Sequence, residues 1–377
     1  MKKCLCALLA LTLFLLPLAG AETSSAAGSQ LGFELLRELN NGSDNRVLSP
    51  VSLAYALAMA AEGAEGDTRA ELLEALAAED PSTAGELTDA LEAAGLKVAN
   101  AAFATGNVAI SEDYIKALAG AFEAEWFEAG DDLAGRINQW VSEHTDGLID
   151  KMLDDEPSDD TALALVNALA MDADWLSPFA PDVTVDGAFH APDGDVTVPF
   201  MHQTLSTRYG ERDGVQLLRL GYADSDLELL IALPGEDGSV SDVLDGLCEE
   251  GLAYFQFGEE GVEVSLSMPK TDISDANSLV DALKALGIKA PFGDSADFSG
   301  ISEEGGLYIS QILQKARLIF DEDGTQAAAS TVVSVATSAY NPDLPVEFNM
   351  NRPFVAVIAD AATGAVCFAA VVNNPLG

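Results

Sequence analysis

Cross-linking sulfur is scarce in this chain. Of four cysteines in 377 residues, Cys4 and Cys6 fall in the first six positions, which leaves only Cys248 and Cys367 for the body of the protein. A disulfide framework is therefore not indicated. Cys367, inside the apolar run from Ala365 to Val372, reads as a small buried hydrophobe. Histidine is equally sparse: His144, His190 and His202 are the full set, and no two stand at metal-ligand spacing. The chain has no G-x-S-x-G elbow, H-E-x-x-H pair, P-loop or G-x-G-x-x-G turn, the spacings that would place a nucleophile, zinc or a phosphate. His202 could still meet a distant serine and aspartate in space, but the residues point to no catalytic group, no metal and no cofactor, and the chain reads as a non-enzyme.

Positive charge is the third shortage. Lys and Arg total 18 against 62 Asp and Glu, a formal net charge of −44. A field of that sign repels nucleic acid and anionic membranes and hastens encounter with basic partners. The acids are scattered, which favours solubility as their main role. Long apolar runs are missing too, except Leu5 to Leu18 behind Lys2-Lys3 and ahead of Ala19-Gly20-Ala21. That basic, apolar, small-residue series reads as a secretory signal peptide over 1–21, cut before Glu22. The run is shorter than the roughly 20 residues of a membrane span, and no cysteine follows Ala19-Gly20 to carry a bacterial lipid anchor. Loss of Lys2 and Lys3 makes the mature chain two units more negative. With no repeat and no Pro- or Gly-rich linker, 22–377 reads as one secreted domain whose 49% hydrophobic content can fill a large core. Asn41-Gly42-Ser43 is a glycosylation sequon, of use only in a host that glycosylates.

What is present is organised around Glu322 to Pro342, EDGTQAAASTVVSVATSAYNP. About one residue in five of the chain is charged, yet none from Gly324 to Pro342 is. As a strand this run would put Thr325, Ala327, Ala329, Thr331, Val333 and Val335 on one face. The other face would be mostly small and polar, which suits a strand slotted between neighbours in a sheet. Its Ala and Ser are poor β-formers, so the run can become a strand but has weak reasons to be one alone.

Upstream, Ser49 is placed to cap a helix with Pro50 at its first position, where the missing N–H costs nothing. Ser52 then falls one turn on, on the same face. Ile137, Trp140 and Val141 make a helix face, and Gly147 suits its end. Thr161 to Trp175 reads as a buried strand interrupted by Asn167, whose amide must find partners because an unpaired buried polar group costs about 1–3 kcal/mol. Helical spacing also marks Leu31–Leu39, Thr68–Leu76, Glu86–Leu91, Tyr114–Phe122 and Ser278–Leu286. Strands are expected at Ala101–Ile110, Val196–Phe200, Gln216–Leu220, Leu227–Leu233, Val262–Met268, Phe354–Ile358 and Val366–Val372.

Several of these strings together resemble the serpins, a family of serine protease inhibitors. They are Leu48-Ser49-Pro50-x-Ser52, Ile137-Asn138-x-Trp140-Val141 with Thr145-x-Gly147-x-Ile149, the acidic residue and Gly324-Thr325 ahead of small residues, and Phe348-Asn349-x-x-Arg352-Pro353-Phe354. These strings run from Leu48 to Phe354, and the matches as a whole span Leu31 to Pro375. The resemblance implies an α+β serpin fold: a large central mixed sheet, further sheets, about eight or nine helices and an exposed reactive loop over about 322–345. It implies a suicide substrate for a serine protease, whose cut loop enters the central sheet as a new strand. The hinge of that loop would be Glu322, Gly324, Thr325, Gln326, Ala327, Ala328, Ala329 and Ser330. The bond cut would be Ser338-Ala339 counting forward from Glu322, or Tyr340-Asn341 counting back from Phe348. A small residue there suits elastase-like or subtilisin-like targets; Tyr340 would suit chymotrypsin-like ones. Ser49, Ser52, Asn167 and Gln314 would form a hydrogen-bonding cluster where the sheet parts, with glutamine standing at 314 where the family usually has histidine. Trp175 would lie where the loop goes in. The protein would be a monomer, liable to polymerise on heating because an uncharged strand can enter a neighbour's sheet. A carrier or binding protein of the same fold is the alternative.

Overall fold

The computed structural model describes residues 22–128, 132–157, 161–258, 261–325 and 344–377. The chain opens with α1 (Glu22–Leu39), β1 (Arg46–Leu48), α2 (Pro50–Glu62), α3 (Gly66–Ala75), α4 (Thr88–Ala93), β2 (Leu96–Ala104), α5 (Glu112–Phe122), β3 (Glu125–Glu128) and α6 (Leu133–His144). There follow β4 (Leu163–Met171), β5 (Ala173–Asp174), β6 (Val185–Ala191), β7 (Gly194–Arg212), β8 (Val215–Gly221), β9 (Leu227–Pro234) and α7 (Val240–Glu250). The last third holds β10 (Val262–Pro269), β11 (Thr271–Ser278), α8 (Val280–Ala285), β12 (Leu313–Phe320), β13 (Gly324–Thr325), β14 (Val346–Asn349), β15 (Phe354–Asp360) and β16 (Val366–Val372).

Local signals explain most of these bounds. Ser49 caps α2 with its hydroxyl accepting from Ser52 N, and Pro50 is the first helical residue. Ile137, Trp140 and Val141 are the buried stripe of α6. One expected strand moves: instead of Ala101–Ile110, β2 begins at Leu96 and ends at Ala104. Gly106, with φ +84°, turns the chain there.

Strands β1-β16-β15-β9-β8-β7-β10-β14 lie in that order in one sheet, with β6 added on β7. The 19-residue β7 reaches across it, pairing β6 and β10 with its first part and β8 with its last. β15 and β16 are buried at every position, as strands covered on both faces must be.

The second layer is a mixed sheet in two parts. β2 pairs β3 in parallel and β4 antiparallel, while β11 and β12 form their own pair. Two-residue alternation splits β4 between two cores. Val166 and Ala168 join Ile137, Trp140 and Val141 of α6 on one face; Leu169 and Met171 face the main core. Asn167 falls in the register of the main-core residues. The edges of β4 and β12 have no strand between them among the described residues, and only β13 pairing β5 joins the two parts. Among the described residues the fold holds eight α-helices.

Candidate functional site

The site is the junction at the top of that parted sheet and the slot beneath it. After β12 the chain reverses at Asp321-Glu322-Asp323, so that Gly324 pairs with Asp174 and Thr325 with Ala173 in antiparallel register. Asp321 closes the turn: its N–H donates to Gly324 O at 3.1 Å, and its Oδ1 accepts from the N–H groups of Asp323 and Gly324. Glycine at 324 follows from the close approach. A Cβ there would stand 2.1 Å from Ala173 O and 2.8 Å from Asp174 Cα. The first residues of the expected hinge are thus already turned down beside β5.

Trp175 holds this turn from outside. Its backbone N–H donates to Asp323 O at 2.8 Å and its indole N–H to Asp321 O at 2.9 Å. The indole is buried and stacks on Tyr222, 4.8 Å between centroids with planes 17° apart. The Tyr222 hydroxyl in turn meets Thr325 Oγ1 at 2.6 Å. Burial pushes the Tyr222 phenol far above its usual range, so it stays protonated and able to donate. Glu322 faces the other way. Its carboxylate accepts from Thr184 Oγ1 at 2.9 Å and is paired with Lys270, and its carbonyl accepts from Phe179 N. Burial acts to raise its pKa, but the hydrogen bonds from Lys270, the backbone and Thr184 outweigh it and hold the carboxyl below its usual range.

Beneath Thr325 the slot continues between Leu169–Met171 on β4 and Arg317–Ile319 on β12, with Phe368 of β16 alongside. Lower down it widens into a cavity of about 210 Å³ bounded by β4, α2, α6 and the segment before β12. Ser52, Asn167 and Gln314 all line this cavity, yet the hydrogen bonds divide them. Gln314 is clipped to Ser49: Oε1 accepts from Ser49 N at 2.8 Å and Nε2 donates to Ser49 O at 2.7 Å. Glutamine can do both at once. Asn167 instead donates to Asn100 Oδ1 at 2.8 Å, directly across the β2–β4 pair, not to Ser49 or Ser52 as expected. Asn100 donates onward to Phe122 O. Asn167 Oδ1 accepts from no described residue although it is buried. The two amides therefore stand on opposite sides of the parting, each bonded to its own half.

Sequence reasoning missed Asn100, Tyr222 and Lys270. Asn100 was findable as the polar interruption of the run Val98 to Ala104; Tyr222 and Lys270 carry no local signal. Gln326, Ala327, Ala328, Ala329, Ser330 and the candidate cut residues Ser338, Ala339, Tyr340 and Asn341 lie outside the described residues. On the far side of the loop, β14 runs parallel to β10 and anchors the returning chain.

Of the histidines, His144 uses both ring nitrogens, on Trp140 O and the Glu125 carboxylate, and stacks on Trp140. His190 bonds Asp195. No described cluster of His, Cys, Asp and Glu could hold a metal ion. No described helix is long and apolar enough to cross a membrane.

Together the fold and junction define a protein built around a sheet parted at one strand position, with a chain segment starting to fill it. Residues 26–375 match the serpin (serine protease inhibitor) family, and the chain belongs to it. Iripin-8 of Ixodes ricinus is 32% identical over 372 residues, covering 92% of each chain. Human antithrombin-III is 29% identical over 368 residues, 91% of this chain and 79% of its own. Among solved structures, native tengpin, a thermophilic serpin, superposes with a TM-score of 0.83 at 27% identity over 93% of each chain. Human thyroxine-binding globulin reaches 0.84 at 26% identity, over 95% of this chain and 100% of that one.

Proposed function

We propose that this protein is an exported inhibitor of serine proteases that acts as a suicide substrate. The observation that carries this reading is the pairing of Gly324 and Thr325 with Asp174 and Ala173 at the head of an open slot. The next residues, Gln326 to Ser330, are small or uncharged, so a cut loop brings no charged or bulky side chain into the slot. Once a protease has formed its acyl bond at Ser338-Ala339, or at Tyr340-Asn341, the hinge must fill the slot before water releases the enzyme. Some 15 residues at roughly 3.3 Å each would carry the tethered protease about 50 Å. Insertion of a reactive loop into a sheet, with release of stored strain, is known among serpins; the hinge chemistry is this chain's own.

The test is incubation of the mature protein with elastase-like, subtilisin-like and chymotrypsin-like enzymes. A covalent adduct that survives SDS is expected with the first two classes, and mass spectrometry of the released carboxy-terminal peptide places the cut. Cleavage without any adduct would favour the second reading, a non-inhibitory binding protein. The likeness to thyroxine-binding globulin, solved in complex with thyroxine, supports that alternative.

A further inference from the structure

Apart from the slot, the chain shapes an open hollow of about 570 Å³, within the roughly 300–1,000 Å³ of small-ligand sites. It shares no lining residue with the slot or its cavity. Five parts of the chain meet around it: the end of α1 at Asn40, the β6–β7 turn at Pro192, the end of β9 with the start of α7, the residues before β15, and the end of β16. Apart from prolines, Val240 is the one apolar side chain that lines it among the described residues. An apolar guest would gain little there. Asn40, Asn351, Asn373 and Ser241 instead offer amides and a hydroxyl, which donate and accept alike and suit a guest that does the same.

The charged groups on the wall are unequal. His190 is engaged at Nδ1 with Asp195, and Glu236 is exposed. Arg352 is held in place without a counter-ion. Its Nε donates to Pro234 O at 2.6 Å, and its Nη1 donates to Asn351 Oδ1 at 3.1 Å and Asn349 O at 3.4 Å. Arg212, Arg219 and Arg317 each meet a carboxylate; among the described residues Arg352 meets none. Partial burial pushes its pKa below the usual arginine range, against the charge of Glu236. Arg352 Nη2 and Asn351 Nδ2 donate to no described group. Neither is sealed in, because the only buried side-chain nitrogen or oxygen without a partner among the described residues is Asn167 Oδ1. Two fixed donors, one of them cationic, are what a carboxylate needs.

We infer that this hollow binds the carboxy-terminal end of a short basic peptide, with the free carboxylate on Arg352 Nη2 and Asn351 Nδ2 and a basic side chain upstream toward Glu236. The peptide groups between them match the amides and hydroxyl of the wall, and capture of a terminal carboxylate is a recurring mode of peptide recognition. The basic side chain also gains from a chain of net charge −44, which opposes a guest that is only anionic. This site does not depend on loop insertion.

The probe is Gly-Lys-Gly-Gly labelled at its amino end, titrated with intact mature protein and followed by fluorescence anisotropy. Salt is held at about 0.15 M, where charges beyond about 8 Å are screened. Saturable binding is expected, with the carboxy-terminal amide of the same peptide about tenfold weaker. Gly-Glu-Gly-Gly with a free carboxylate should bind severalfold more weakly than the lysine peptide, and Glu236→Gln should narrow that gap while leaving the acid–amide gap unchanged. Arg352→Gln should bind acid and amide alike. Ser241→Trp, at an exposed lining position that leaves the Arg352 contacts intact, fills the hollow and should abolish binding. Absence of saturable binding, equal binding of acid and amide by wild type, or wild-type binding by Ser241→Trp overturns the site. Equal binding of the lysine and glutamate peptides overturns the preference for a basic guest.

Discussion

The hydroxyls of Tyr222 and Thr325 meet at 2.6 Å in a buried contact, which ties the start of the hinge to the end of β8. Tyr222→Phe leaves the Thr325 hydroxyl without this partner, at a cost of about 1–3 kcal/mol. The denaturation midpoint of the intact protein should fall, and the amides of Gly324 and Thr325 should exchange faster. Thr325→Val in the same background should add little, because the pair acts as a unit. Equal exchange rates in wild type and Tyr222→Phe would show that the contact holds nothing.

Gly324→Ala tests the close approach to β5. The added methyl would meet two backbone atoms, Ala173 O and Asp174 Cα, neither of which can rotate away. The variant should lift residues 324–325 off β5 and make the hinge more open to nonspecific proteolysis than in wild type. Protection equal to wild type would mean that the β5 backbone shifts to accept the methyl and the pairing survives.

The carboxyls around the turn give it a pH dependence of two signs. Partial desolvation, and after it the charge of Asp174, raises the pKa of the exposed Asp172; partial desolvation, then Asp321, Asp174 and Glu322, raises that of Asp323. A raised carboxyl pKa means stability is lost as pH rises through the folded value, so acidification from neutrality should strengthen the junction. Glu322 is held low, so its contribution is present above the ordinary carboxylate range and is lost as pH falls below about 4. Thermal melts of wild type against Asp172→Asn/Asp323→Asn should differ most at neutral pH and converge in mild acid. Glu322→Lys, which sets two cations against each other beside Lys270, should remove the loss below about pH 4 along with the stability itself.

Charge in the slot should turn inhibitor into substrate. Thr325 is buried, and an arginine there would be an unpaired buried charge costing several kcal/mol. Ala327→Glu places a charge on the same face of an inserted strand. Either variant should be cleaved with little SDS-stable adduct; an adduct at wild-type stoichiometry would falsify the proposed hinge.

Loop-cleaved protein should melt well above the intact form. The edges of β4 and β12, with no strand between them among the described residues, would gain a full ladder of backbone hydrogen bonds, and the slot beneath Thr325 would close. Equal melting temperatures would rule out insertion.

Much of this architecture was legible from local pattern. The Ser49-Pro50 cap, the α6 stripe of Ile137, Trp140 and Val141, and the buried run of β4 broken by Asn167 each depend on residues within a few positions of one another. The strands at 46–48, 125–128, 185–191, 271–278 and 346–349 escaped because they are short or polar and are stabilised by neighbours from elsewhere in the chain. Asn167 was legible as a buried amide in need of partners, but its pairing with Asn100 depends on the β2–β4 register, which periodicity within either strand does not fix.

By itself the sequence determined most of the helices and the longer apolar strands, and that the run after Gly324 carries no charge, because side-chain period and composition are local properties. Only the tertiary structure decided that Gly324 and Thr325 turn back against β5, that Glu322 meets Lys270, and that Gln314 bonds Ser49 while Asn167 bonds Asn100. Those contacts join segments 52 to 265 residues apart. Which of the possible partners meet is set by packing of the whole core, and no local preference encodes it.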